Sequence, residues 1–71
     1  MKKQVADLRE WCLKQRDEAE RFLPLYENGT MFFRVNGRDA TDETIAMMKR
    51  TIADMTALIK RIDDDEAAST Q

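Results

Sequence analysis

The chain has 71 residues, of which 42% are hydrophobic and 37% charged, with two Gly, one Pro, one Cys and no His. That balance is too charged for a membrane span and too apolar for disorder, and the missing His removes His-based triads, Cys/His zinc sites and most general-base schemes. A chain this short buries only about 60% of its unfolded surface, and with no disulfide or metal available the remaining route to a stable core is association.

The first predicted helix covers about residues 2–23. Val5, Leu8, Cys12, Gln15, Ala19, Phe22 and Tyr26 recur at spacings of three and four, and Glu10/Lys14 and Asp17/Arg21 are opposite charges at i, i+4 on the solvated side. Pro24 cannot continue an interior ladder and biases Leu23 away from helical angles, so the helix is expected to stop or kink there, with Glu27-Asn28-Gly29 ending it. The Asn28-Gly29-Thr30 sequon reads as a turn.

The connector, 24–41, is longer than a structureless link in a compact domain usually is. Thr30 to Val35 is rich in strand-favouring types and Asn36-Gly37 is a strong type I′ signal, so a β-ribbon is expected over about residues 30–40.

The second helix is expected over residues 42–63. Ile45, Met48, Ile52, Met55, Ile59 and Ile62 form an unbroken a/d stripe, Thr41 is the expected N-cap, and Asp42 and Glu43 suit the positive end of the helix dipole. Asp63-Asp64-Asp65-Glu66 oppose the dipole at the other end, so residues 64–71 are read as an acidic, disordered tail. Helices 2–23 and 42–63 form one domain, 1–63.

Helices of equal length favour an antiparallel hairpin, and a lone pair has only one seam. Trp11, Leu13, Met47 and Leu58 fall off both stripes, which assigns them to a dimer interface. The expected fold is therefore mainly α: an antiparallel two-helix hairpin with a short β-hairpin in its connector, dimerising into a four-helix bundle or a higher closed oligomer.

Thr41, Thr44, Ile45, Lys49, Thr51, Ile52, Ala53, Leu58 and Ile59, with Gly29-Thr30-Met31 before them, resemble short uncharacterised helical-hairpin proteins of alphaproteobacteria. The resemblance covers about the last two-thirds of the chain and implies a bacterial cytosolic source and no activity.

Cys12 sits mid-helix on the apolar stripe, which reads as a buried core thiol rather than a redox group. The body through Ile62 carries +2 and the last nine residues, 63–71, carry −4, and the bases of the first helix are interleaved with acids, so nucleic acid is not an expected partner. Consecutive carboxylates lack the spaced ligands of a calcium loop, and no cofactor or metal is expected. No signal peptide, spanning segment or lipidation motif is present in the sequence, so the expected location is cytoplasmic, with no membrane partner.

The densest cluster is Phe22, Tyr26, Phe32 and Phe33 followed by Arg34 and Arg38. It reads as a plug closing the bundle, as a partner-binding surface built on Phe32, Phe33, Arg34 and Arg38, or as an intersubunit pocket for a small ligand or nucleotide. The expected function is a non-enzymatic protein-interaction module; the alternatives are a small-ligand binder and a phage or prophage-type inhibitor of a host protein.

Overall fold

The computed structural model describes residues 2–69. Helix α1 (Lys3–Glu27) leads through a two-stranded antiparallel ribbon, β1 (Arg34–Val35) and β2 (Arg38–Asp39), into helix α2 (Thr41–Ser69). The helices pack antiparallel, giving a rod of 53 × 18 × 15 Å with the ribbon at one end.

The α2 stripe packs as its spacing predicts: Ile59 and Ile62 are buried, and Ile45, Met48, Ile52 and Met55 are half-buried. On α1 the seam is rotated from the expected one. Cys12 and Ala19 are buried on it, whereas Leu8 and Phe22 turn to solvent. Cys12 and Ala19 carry small side chains, and the rest of the seam follows their line through Val5, Leu23 and Tyr26, all half-buried. With Ala40, the buried side chains among the described residues are five in number, and none is charged.

Two expected boundaries are corrected. First, α1 continues through Pro24 to Glu27. Proline removes one amide bond in the last turn, but its carbonyl still accepts from the Asn28 amide at 2.9 Å, and Leu23 and Tyr26 keep their places against α2. The helix then ends as its sequence indicates, with Gly29 at φ 82° and Asn28 Oδ1 accepting from the Thr30 amide. Second, α2 runs through the acidic segment to Ser69 instead of ending near Asp63. Its own dipole disfavours those acids, but the antiparallel neighbour does not. The run lies beside the first turns of α1, where that helix presents its positive end, and Arg9 reaches across to Asp63 while Lys60 pairs with Asp64 at 3.0 Å. The final two residues of the expected disordered tail lie outside the described residues.

The turn chemistry is as expected. Asn36 and Gly37 have φ of 51° and 80°, both positive as a type I′ turn requires, and Arg34 pairs with Asp39 and Val35 with Arg38. The paired ribbon is shorter than the expected 30–40. Its next rung has only one backbone bond, Ala40 N–H to Phe33 O at 2.8 Å, because the Ala40 carbonyl accepts from the Thr44 amide in the first turn of α2. Gly37→Val places a β-branched side chain at that positive φ, so it should lower stability by about 1–3 kcal/mol and leave far-ultraviolet helicity nearly unchanged. Denaturant melts followed by circular dichroism check this.

Candidate self-association face and ribbon

The two sides of the rod differ in chemistry. On one side, Arg9 donates from Nε and Nη2 to the two carboxylate oxygens of Asp63 at 2.7 and 3.1 Å, Arg16 Nη1 lies 3.5 Å from Thr56 Oγ1, and Lys49 Nζ is 3.6 Å from Glu27. Measured from Cys12, Arg9, Arg16 and Glu27 are rotated about 40–60° one way around α1, at about 100° per residue. Measured from Ile59, Asp63, Thr56 and Lys49 are rotated about 40–80° around α2 to meet them.

The exposed large apolar residues of the helices are rotated the other way. Leu8, Phe22 and Trp11 lie about 40–100° from Cys12, and Leu58 and Met47 about 100–120° from Ile59, so all five share the opposite side. Met47 is 65% exposed and Trp11 52%. The register set by Arg9 with Asp63 and Arg16 with Thr56 puts Trp11 within about 5 Å of Leu58 along the rod, and Phe22 equally near Met47. Three of the four residues assigned to an interface from sequence therefore share this side, Trp11 and Leu58 in one cluster and Met47 in the other. Leu13 is not with them. It is half-buried on the Arg9–Asp63 side, in a shallow depression with Ala6 and Glu10. Angular distance from a stripe does not say on which side a residue falls; the partner helix decides that.

The pair Arg9–Asp63 is not among the helix pairs expected from sequence; its signal is that Arg9 and Arg16 have the same seven-residue spacing as Thr56 and Asp63 on the antiparallel helix. The hydrogen bond from Arg9, and then its charge, hold the Asp63 carboxyl below the usual carboxylate range, and the same contact raises the Arg9 guanidinium. A carboxyl lowered on folding contributes stability above its unfolded pKa and loses it as pH falls through the folded value. Asp63→Asn should accordingly lower the melting midpoint near neutrality, and the difference from wild type should vanish at pH values below the carboxylate range. Thermal melts of both chains from neutral pH down to strong acid test it.

The ribbon is anchored to α2 by a local network. Thr41 Oγ1 accepts from the Phe33 amide at 3.0 Å and donates to Asp39 Oδ1 at 2.6 Å, while the Thr41 amide also donates to Asp39 Oδ1. Thr41 thus ties ribbon to helix rather than acting as the N-cap; Ala40 occupies that position, and the Asp39 carboxylate satisfies the first amide. The Thr41 hydroxyl and amide hydrogen bonds hold the Asp39 carboxyl low.

The expected partner residues divide by strand alternation. Phe32, 67% exposed, shares a ribbon face with Arg34, whose guanidinium stands 5.7 Å from the ring centroid. Phe33 and Arg38 belong to the other face with Val35, and Arg38 is clamped bidentate by Glu43 at 2.9 and 3.0 Å. Arg38 is thereby occupied, and Arg34 is the ribbon's cation that meets an aromatic ring.

Cys12 is fully buried, so its thiol cannot meet a substrate in the folded chain. Among the described residues, no group of His, Cys, Asp and Glu is arranged to hold a metal, and no helix is long and apolar enough to cross a membrane. The architecture is a helical hairpin with an inserted antiparallel ribbon. Comparison with family models, with curated proteins and with solved structures returned no match.

Proposed function

We propose that the chain is a non-enzymatic interaction module that self-associates through Leu8, Trp11, Phe22, Met47 and Leu58, closing as a four-helix bundle, and that meets a protein partner through its ribbon end. A bacterial cytoplasmic setting belongs to the same proposal. The observation that carries it is the one-sided apolar face. It supplies the second seam that a two-helix pair lacks, while the opposite side is bridged by polar and charged pairs.

The surface area supports a second copy as the occupant. The chain exposes 5609 Å² at 8.3 kDa, against about 4,600 Å² for a compact monomer of that mass. Its radius of gyration is 15.7 Å, against about 11 Å for a compact domain of this length. The surplus of about 1,000 Å² is close to the roughly 800 Å² per partner that a stable interface covers. An isologous dimer uses the same face twice and needs no further component.

Trp11 is the single tryptophan and lies on this face, so its emission reports coverage directly. On dilution from hundreds of micromolar to nanomolar, the emission maximum should move to longer wavelength as water replaces the partner. A maximum independent of concentration and already red, as for a half-exposed indole, would contradict the proposal.

A further inference from the structure

The ribbon carries a feature that the helix face does not explain. In a two-residue hairpin the rungs alternate: Val35 and Arg38 flank the turn as a hydrogen-bonded pair, and Phe33 and Ala40 are bonded again at 2.8 Å. Arg34 and Asp39 between them form the non-bonded rung, so the N–H and C=O of Arg34 point away from β2, and by alternation those of Phe32 do too. Exposed strand edges of this kind are templates for another strand.

We infer that the outer edge of β1 is a second self-complementary contact, in which two copies pair antiparallel through Phe32–Arg34 about a twofold axis at Phe33. This pairing opposes Phe32 to Arg34 of the other copy, twice, and satisfies four outward backbone bonds. On the outer face each Arg34 then stands between Asp39 of its own chain, whose charge it already influences, and the Phe32 ring of the other copy. The 5.7 Å approach of Arg34 to its own Phe32 places this cation and this type of ring at interacting distance on the same face. On the inner face, Phe33 meets Phe33 at the axis, where non-bonded rungs bring Cα atoms to about 4.5 Å. Asp39 is the carboxylate that faces Arg34 across the ribbon, and residues 28–38 add no other acid to this edge.

The second copy is favoured as occupant because the pattern answers itself: ring opposes cation in both directions, with no residue left unmatched. Three residues of edge are too little area to hold two chains alone, so the contact rests on the helix-face reading, which raises the local concentration of ribbons. Where both contacts form, the closed assembly is a dimer if their twofold axes coincide and a dimer of dimers if they do not.

The test is site-specific cross-linking of the full chain with oxidised glutathione as electron acceptor, comparing Phe33→Cys with Val35→Cys. The two sites are similarly exposed, 45% and 43%, and the native Cys12 is buried. The Cα atoms of the two copies at position 33 fall within disulfide reach, whereas those at position 35 lie about 13 Å apart along the strands. The Phe33→Cys chain should link about 100-fold faster than the Val35→Cys chain, since pairing makes the step intramolecular. Amide exchange of the unsubstituted chain gives a second readout: Phe32 and Arg34 should gain protection with concentration, while Asp39, on the outer edge of β2, should not. Equal cross-linking rates in chains that still associate, together with no gain at Phe32 and Arg34, would overturn the edge contact and leave the helix face standing. A monomer mass at all concentrations would overturn both.

Discussion

On the proposed self-association, replacing Trp11 and Met47 together by Glu should leave the chain monomeric. Each substitution puts a carboxylate into a face that would otherwise be desolvated, and an unpaired buried charge is the costliest change an interface can suffer. Trp11 and Met47 belong to the two different apolar clusters of the face, so neither half is left intact. The dissociation constant should rise by at least about 100-fold, since losing two apolar anchors costs several kcal/mol and each 1.4 kcal/mol is tenfold. Sedimentation velocity checks it, with Leu13→Glu as the comparison. Leu13 lies on the polar side, so that variant should retain assembly.

Ile59→Ala should have the largest effect on folding. Ile59 is 7% exposed and is one of five buried side chains among the described residues, and truncating a buried Ile to Ala costs about 2–5 kcal/mol. A small domain has a total stability on the order of 5 kcal/mol, so the substituted chain should melt near or below room temperature when dilute. It should recover at high concentration, because association stabilises the folded state by mass action. Thermal melts over a thousandfold concentration range separate this from simple unfolding, which has no such dependence.

How much of this was legible in the sequence varies with the range of the interaction. The α2 stripe from Ile45 to Ile62, the burial of Cys12 and the Asn36-Gly37 turn were readable because each follows from spacing or local backbone preference. The errors arise where a neighbouring element overrides a local rule. Pro24 reads as a stop, yet Leu23 and Tyr26 pack against α2 and carry the helix past it. Asp63 to Glu66 read as a frayed end when only the α2 dipole is considered, but the positive end of α1 and Arg9 lie alongside. Thr41 has the right type for an N-cap, but the hydroxyl is drawn to the Phe33 amide by a ribbon whose closeness no local pattern reveals.

The candidate surface was half legible for the same reason. Trp11, Met47 and Leu58 are exposed as their distance from the stripes implies, but the side to which each turns depends on the partner helix, and so Leu13 does not join them. Arg34 and Arg38 look equivalent in sequence, four residues apart. Strand alternation and Glu43 separate them, clamping one and leaving the other against Phe32.

Coverage of Leu8, Trp11, Phe22, Met47 and Leu58 by a second copy is tested most directly by sedimentation equilibrium of the unsubstituted chain. A range between about 1 and 300 μM spans the association strength expected of an interface this size. The mass should be at least that of two chains at the upper end, falling toward 8.3 kDa on dilution. A mass of 8.3 kDa throughout would contradict the covered face.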